Sequence, residues 1–366
     1  MKIPAISVII PLYNAQNFIG ECLDSLLVQT FQDFEVIVVD DCSTDSSRVV
    51  VERYAPRFNG RLTLATTQTA SGCGGVPRNK GLRFSHGEYI FFLDADDIIT
   101  PTAFEELYSV AKDFDADVVA CEKYYEVPEK FWNDADFRRN LKPTACQAAK
   151  LVAAPTLITD NPLERARRYN RGGLLWNVWS KLIRRDFIFD NEISFADTLA
   201  EDLIFTGCLL FAAERFILVP NVINYYRLLD GSVSHAADDA SAYFRKYVRA
   251  LTTAFRHFDD FLSGRGLPPD AKHLVLKRVW LEINGYVLSL YDQVPAYELD
   301  KILREELSGG DNVALAAFAF NSANENSRLM FGILQDFNEL ERSSRQDKAY
   351  IAELENFILQ MQQSKE

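Results

Sequence analysis

The stretch Tyr89-Ile90-Phe91-Phe92-Leu93-Asp94-Ala95-Asp96-Asp97 carries the strongest local signal for the fold. A short apolar run that stops abruptly at charged residues is typical of a buried strand. Asp94 and Asp96 stand two residues apart, so together they offer hard oxygen ligands to one divalent cation such as Mg²⁺ or Mn²⁺. A solvated acidic turn would look the same in isolation. The buried strand before the pair and the helix start at Thr100-Pro101 favour the metal-binding interpretation.

Strands and helices alternate in the residues before this stretch. Apolar, β-branched runs at Ile6–Ile10, Phe34–Val39 and Arg61–Thr66 predict strands, and helical spacing predicts helices over Phe18–Leu27, Ser43–Tyr54 and Pro77–Ser85. This alternation predicts an α/β fold, a Rossmann-like and mostly parallel sheet with helices on both faces. Ligands bind beyond the carboxyl ends of such strands. Polar residues stand at those ends: Tyr13, Asn14, Asp40, Asp41, Asp94 and Asp96.

Composition excludes some classes of function. The 366 residues carry a net charge of −13, which argues against a nucleic-acid partner because phosphate neutralisation needs Lys and Arg. Six cysteines show neither C-x-x-C nor zinc spacing, so we expect free thiols in a reducing compartment. We expect no transmembrane segment, since no apolar run approaches the ~20 residues that span a bilayer. A cytoplasmic protein is therefore expected, with peripheral contact to the inner face of the membrane left open.

The middle of the chain is less regular. We predict a strand at Asp117–Tyr125, helices at Ala145–Leu157, Leu163–Tyr169 and Asp202–Ala213, and short strands at Arg215–Pro220 and Val222–Arg227. Long helical segments follow at Ala242–Leu262, Ala271–Tyr291 and Ala296–Leu307. We therefore expect a catalytic domain over 1–235, a helical domain over 236–329 and a terminal amphipathic or coiled-coil helix over 330–366.

Five ordered motifs resemble the family 2 glycosyltransferases. They are Ser7-Val8-Ile9-Ile10-Pro11-Leu12-Tyr13-Asn14, Ser25-Leu26-Leu27-Val28-Gln29-Thr30, Val38-Val39-Asp40-Asp41-Cys42-Ser43-Thr44-Asp45, Arg78-Asn79-Lys80-Gly81-Leu82 and the stretch Gly87–Asp97. The resemblance covers residues 5 to about 235. It implies the GT-A fold and transfer of a sugar from a nucleotide-sugar donor with inversion at the anomeric carbon. The pattern departs from the family at Cys42, where a glycine is usual, and at the glycine-rich loop Gly72–Gly75; we expect neither to touch the ligand-binding residues.

The resemblance also implies roles for matching positions. Pro11, Tyr13 and Asp41 would line the nucleoside pocket, Arg78 would contact the nucleotide, and Asp94 and Asp96 would hold the metal. Glu201 and Asp202 match the family's downstream acidic pair, of which the Asp is the catalytic base. Arg227 matches the loop that closes on the diphosphate, and His235 is a third metal ligand or a surface residue. The implied donor is a UDP-sugar, and the implied acceptor is a glycan or lipid-linked glycan.

Other interpretations stay open for several residues. Asp40 and Asp41 could cap the following helix, and Arg78 could lie on a solvated helix face. Trp176 and Trp179 could stack on a sugar, although Trp179 fits a core position better. A non-catalytic nucleotide-sugar sensor would need a broken acidic set, and a nucleotidyltransferase would need a glycine- and basic-rich loop where Pro11-Leu12-Tyr13-Asn14 stands.

The last 37 residues carry a heptad pattern. Its seam alternates spacings of three and four, as a coiled coil requires, and is interrupted by two polar residues; it runs through Met330, Ile333, Phe337, Leu340, Ser344, Asp347, Ile351, Leu354, Ile358 and Met361. The pattern favours pairing with a second copy of the chain, and so a homo-oligomer, over docking on the chain's own helices.

Overall fold

The structure is a computed structural model that describes residues 3–148, 150–229, 240–291 and 293–307. The chain divides into two compact units, one of residues 1–236 and 260–278 and the other of residues 237–259 and 279–366. Residues 260–278 thus group with the first unit, whereas the sequence analysis placed them in the second domain. His235 and the heptad segment 330–366 lie outside the described residues, so the interpretations given to them stay predictions.

The first half of the sheet is parallel, as the apolar strand runs predict. Its strand order is β3-β2-β1-β4; the strands are β1 (Ile6–Leu12), β2 (Phe34–Asp40), β3 (Leu62–Thr66) and β4 (Tyr89–Phe92). Helices α1 (Ile19–Leu27), α2 (Ser47–Tyr54) and α3 (Gly75–Phe84) connect them. The central strands β1 and β4 are almost wholly buried because helices cover both of their faces.

The second half of the sheet makes it a mixed sheet. Four further strands continue it in the order β4-β9-β6-β10-β5; they are β5 (Ile98–Ile99), β6 (Val118–Pro128), β9 (Lys181–Arg184) and β10 (Phe216–Leu228). β9 is antiparallel to both of its neighbours, while β6 and β10 are parallel to each other. The two strands predicted over 215–227 form the single strand β10, whose pairing with β6 shifts register around Pro220.

The helix predicted over Ala145–Leu157 is wrong. Short strands β7 (Thr144–Ala145) and β8 (Thr156–Leu157) stand at its two ends. The amides between them bond to other parts of the chain: Val152 N–H donates to Glu122 Oε2 (2.6 Å) and Gln147 N–H to the Gly172 carbonyl (2.8 Å). Tertiary partners have therefore overridden the local helical pattern.

Three of the remaining helices of the first unit agree with the sequence pattern: α4 (Ala103–Asp113), α6 (Pro162–Asn170) and α8 (Glu201–Ala212). The short helices α5 (Ala135–Arg139) and α7 (Arg185–Asp190) were not predicted. α8 is buried along most of its length, so its first turn is held rigidly against the sheet. That turn carries the predicted acidic pair.

Three long helices follow: α9 (Ala240–Ser263), α10 (Pro269–Tyr291) and α11 (Ala296–Leu307). Within the second unit, Arg245 and Arg249 of α9 both bond Glu306 of α11, and Tyr247 stacks on Tyr286 at 4.9 Å between ring centroids. Across the described part of the chain, none of the helices combines the length and apolar character needed to cross a bilayer.

Candidate active site

The predicted nucleoside-binding residues meet at the carboxyl edge of β1 and β2. Asp41 is buried, and its carboxylate accepts hydrogen bonds from Thr67 Oγ1 (2.8 Å) and from the amide and hydroxyl of Ser71 (2.9 and 2.8 Å). The Asp41 amide donates to Leu12 O (2.7 Å) at the end of β1. Pro11 is half-buried beside this point and Tyr13 is exposed. A fixed carboxylate with an exposed aromatic ring beside it suits recognition of a flat, hydrogen-bonding ring.

Three residues other than glycine have left-handed backbone at this edge, and each adjoins a site residue. They are Asn14 (φ 46°), Cys42 (φ 62°) and Ala200 (φ 61°). Such φ values are strained for residues with a Cβ and concentrate at functional sites. The glycine that the family usually has at position 42 is explained by this backbone conformation.

The acidic turn after β4 contains three carboxylates. Asp94 and Asp96 belong to the candidate site, and Asp97 has a structural role. Asp97 is fully buried and accepts bonds from the Arg227 amide (3.0 Å) and Asn224 Nδ2 (3.1 Å), so it anchors the turn to β10. Burial, and secondly the charge of Asp94, raise the pKa of Asp96 to about 6. Crowded carboxylates of this kind gain from a nearby cation. The sequence analysis missed Asp97, although it stands third in the acidic run.

Arg78 connects the acidic turn to the acidic pair of α8. Its Nη2 donates to Asp94 Oδ1 (2.7 Å), and its Nη1 donates to Glu201 Oε1 (2.9 Å) and Asp202 Oδ1 (3.0 Å). The guanidinium is buried, and the three carboxylates raise the pKa of Arg78 above its ordinary value despite that burial. The structure thus brings together four of the predicted residues, with three carboxylates around the Arg78 cation.

The acidic pair opens α8, as the sequence indicates. Asp202 is buried, and its Oδ2 accepts a bond from the Val178 amide (3.2 Å). Burial raises the pKa of Asp202, and Arg78 acts against that rise. The pKa of Glu201 is raised to about 7, first by burial and next by the charge of Asp202. Burial is thus the largest cause of the rise at both positions.

The glycine-rich loop touches the site, which corrects the expectation that it does not. A Cβ on Gly74 would lie 2.4 Å from Arg78 Nη1 and 2.7 Å from Glu201 Oε1. A Cβ on Gly75 would lie 2.7 Å from the Ala196 carbonyl. The loop therefore needs glycine so that its backbone can approach the Arg78 cluster closely.

Gly74→Ala is accordingly expected to displace Arg78 from its carboxylates and to lower turnover by about ten-fold or more, the effect of losing roughly one charge-assisted hydrogen bond. The measurement is the steady-state rate of donor turnover. Gly285→Ala is the matched control, because a Cβ there meets nothing within 4 Å. Equal rates in the two variants would contradict the proposed crowding.

Arg227 lies in strand β10 rather than in a loop. Its side chain is buried, bonds the Asp96 carbonyl through Nε (3.0 Å), pairs with Glu21 (2.5 Å) and Glu129 (3.2 Å), and lies over the Trp132 ring. These contacts tie the acidic turn to α1 and β10. Contact between Arg227 and a diphosphate stays a prediction, and it requires these ion pairs to open.

The remaining candidates separate clearly. Trp179 is fully buried and stacks on Tyr226 at 5.9 Å, so it is a core residue. Trp176 is 38% exposed. Asn79, which the motif suggested as a nucleotide contact, makes two reciprocal bonds to the Phe195 backbone (2.8 and 2.9 Å) and so fixes the loop that leads to Glu201.

The described residues contain no group of three or more His, Cys, Asp or Glu side chains that could hold a metal by themselves. Asp94 and Asp96 supply two carboxylates, and His235 lies outside the described residues. Two carboxylates fit Mg²⁺ or Mn²⁺ when substrate phosphate and water complete the shell. The crowding of Asp96 against Asp94, which together with burial raises the pKa of Asp96, is relieved by a bound cation and so supports that fit.

Comparison with known proteins assigns the family. Residues 7–166 match the model of glycosyl transferase family 2. The chain is 32% identical over 267 residues to the uncharacterized glycosyltransferase EpsJ of Bacillus subtilis, covering 70% of this chain and 71% of EpsJ. It is 30% identical to the uncharacterized glycosyltransferase YibD of Escherichia coli, covering 67% of this chain and 68% of YibD. The chain therefore belongs to the family 2 glycosyltransferases.

The fold agrees with that assignment. The crystal structure of Staphylococcus aureus TarS residues 1–349 in complex with UDP-GlcNAc superposes with a TM-score of 0.62 at 25% identity, covering 86% of this chain and 80% of that one. The full TarS protein is a poly(ribitol-phosphate) β-N-acetylglucosaminyltransferase, and this chain spans 35% of it. The predicted GT-A fold with a helical region after it, and the prediction of a glycosyltransferase, are confirmed.

Proposed function

We propose that this glycosyltransferase moves a sugar from a UDP-sugar to a hydroxyl group, with Asp202 as the general base. The observation that carries the proposal is the Arg78 bridge, which joins Asp94 on the donor side to Asp202 on the base side within 3.0 Å on each arm. A single buried cation fixes both halves of the site relative to each other. Pre-positioning of this kind lowers the barrier for bringing two reactants together.

The donor side is supported by the edge of β1 and β2. Thr67 and Ser71 fix the two carboxylate oxygens of Asp41, the group that we propose accepts the uracil N3–H. TarS, the structural relative, was crystallised with UDP-GlcNAc. We infer that UDP-GlcNAc is the first donor to test, with UDP-hexoses next.

The base must take a proton from a weakly acidic hydroxyl while the new bond forms. As the acceptor oxygen bonds the anomeric carbon from one face, the carbon–oxygen bond to UDP breaks on the other, and the acceptor proton passes to an Asp202 oxygen. The raised pKa of Asp202 makes it a better proton acceptor than an ordinary aspartate. Glu201 is the alternative base, since burial raises its pKa as well.

A divalent cation held by Asp94 and Asp96 would neutralise charge on the departing diphosphate. Treatment with EDTA is therefore expected to lower UDP release at least ~10²-fold, because a bound cation contributes several kcal/mol of charge stabilisation. Mn²⁺ or Mg²⁺ should restore the rate, and Asp96→Asn should lose both the rate and the response to metal. Asp113→Asn, at an exposed position, is the control. Full activity in EDTA would contradict the proposal.

The function is tested with a panel of nucleotide sugars, scored for thermal stabilisation and for the released product. UDP from a UDP-sugar supports glycosyl transfer, whereas pyrophosphate would point to nucleotidyl transfer.

We propose a glycan, glycolipid or glycoprotein hydroxyl as acceptor, a cytoplasmic location at the inner face of the membrane, and a homodimer formed through residues 330–361. Light scattering of a chain ended after Ser327 tests the dimer.

A further inference from the structure

Lys181 is a buried charge that the proposed reaction does not use. It begins β9 and is fully buried. Its Nζ donates to the carbonyls of Leu175 and Asn177 (2.7 Å each) and to Ser180 Oγ (3.1 Å). All three ammonium protons thus have neutral partners in one short segment. Burying an ammonium among neutral groups is costly, and an apolar side chain of the same length would fill the space without that cost.

The segment that Lys181 holds also contacts the base. The peptide group between Asn177 and Val178 has its carbonyl on Lys181 Nζ and its N–H on Asp202 Oδ2 (3.2 Å). In a trans peptide these two groups point in opposite directions, so one peptide plane lies between the ammonium and the carboxylate. Hydrogen bonds in such a chain polarise one another, which strengthens the N–H as a donor.

We propose that Lys181 is a positioning residue for the general base: it fixes the Asn177–Val178 peptide group so that the Val178 N–H is aimed at Asp202. This inference rests on the proposed role of Asp202. The Thr206 hydroxyl of α8 holds the same segment by donating to the Trp176 carbonyl (2.7 Å). The turn is therefore fixed from β9 and from α8, and the base lies between the two.

The charges around Asp202 and Lys181 determine the direction in which loss of Lys181 shifts the pKa of Asp202. Asp202 faces Arg78 of α3, Asp94 after β4, and Lys181 of β9, and Glu201 adjoins it on α8. Burial raises the pKa of Asp202, while Arg78, the Val178 N–H and Lys181 lower it. Around Lys181 itself stand Asp202, Cys121 of β6 and Cys146, and burial lowers the pKa of Lys181 to about 7. Removing the ammonium is thus expected to raise the pKa of Asp202.

Lys181→Met tests the inference because it keeps the length of the side chain and removes the charge. We expect the turnover number for UDP release from UDP-GlcNAc to fall about ten-fold, the size of one hydrogen bond, while the KM for UDP-GlcNAc stays unchanged. We also expect the acid limb of the pH–rate profile to move to higher pH, since a base with a raised pKa ionises later.

Arg165→Met is the matched control. Arg165 is also buried and also donates to backbone carbonyls, those of Leu210 and Ala213 (2.6 Å each), but at the opposite end of α8. Its loss is expected to lower stability without moving the acid limb. If the acid limb of the pH–rate profile lies at the same pH in the wild type and in Lys181→Met, the inference is overturned.

Val178→Pro removes the N–H, although it also replaces the buried Val178 side chain by a ring, and it serves if Lys181→Met does not fold. Val178 is the first residue of a short 3₁₀ turn, and Asn177 before it is extended (ψ 131°), so both positions accept proline geometry. The acid limb should again move to higher pH, and an unmoved limb overturns the inference. If the wild-type protein releases no UDP, the proposed function fails. In that case the rate of amide hydrogen exchange over residues 175–180 tests whether Lys181 fixes this segment. Lys181→Met must raise that rate, and Arg165→Met must not.

Discussion

Asp202→Asn is expected to lower the turnover of UDP-GlcNAc by about 10²–10⁴-fold, the contribution usual for a positioned general base. Asparagine keeps the shape of the side chain but cannot take up a proton. Its single amide oxygen can accept only one of the two bonds that Arg78 and the Val178 amide donate to the separate oxygens of Asp202. Binding of UDP should stay near wild type, because Asp202 lies on the acceptor side of the Arg78 bridge. Initial rates of UDP release and calorimetric titration with UDP measure the two quantities separately.

Asp186→Asn, on the surface of the same unit, is the control for a general loss of charge. Turnover like that of the wild type in Asp202→Asn would place the base elsewhere, and Glu201→Gln would be the next variant. Loss of UDP binding together with turnover would instead show that Asp202 holds the donor site in shape.

Arg78→Met is expected to lower the free energy of unfolding by about 3–5 kcal/mol and to abolish turnover. Removing one partner of a buried ion pair leaves the other charge uncompensated, and here Asp94, Glu201 and Asp202 would all lose their shared cation. Burial already raises the pKa values of Glu201 and Asp202 above their ordinary ones, and the loss of Arg78 would raise both further. The destabilisation should therefore be small at low pH and grow as the pH rises through those raised values.

Urea unfolding at several pH values from 5 to 8 measures this effect. Arg53→Met, on the exposed side of α2, removes the same charge at a position that is open to water. Surface changes of that kind are usually worth less than ~0.5 kcal/mol. A loss of stability in Arg78→Met that is small and independent of pH would show that the carboxylates find other partners.

The first half of the fold could be predicted because its signals are local. Each of the first four strands is a short apolar run, and each polar residue at its end lies at the carboxyl edge by the geometry of a parallel sheet. The acidic turn and Asp41 were located in this way. The acidic pair at the start of α8 was located differently, from the apolar helix that follows it and from the resemblance to a known family, which also supplied the roles of all these residues.

The contacts that assemble the site could not be predicted because they join distant parts of the chain. Arg78 and Asp202 are 124 residues apart in sequence and 3.0 Å apart in space. Lys181 stands between Ser180 and Leu182, and nothing in the sequence around it indicates that it is buried. Gly74 was noticed only as a departure from the family, since its function depends on the atoms that approach it.

The antiparallel insertion of β9 has a consequence for the order in which the protein can fold during synthesis. β4 is covered on one side by β1, and its other side is completed only by Leu182, Ile183 and Arg184. Until the ribosome has released about 90 further residues, the Tyr89–Phe92 strand presents an apolar, unpaired edge, the kind of surface on which chains aggregate. Nascent chains that stall between β4 and β9 should therefore depend on chaperones more than chains that stall after β9.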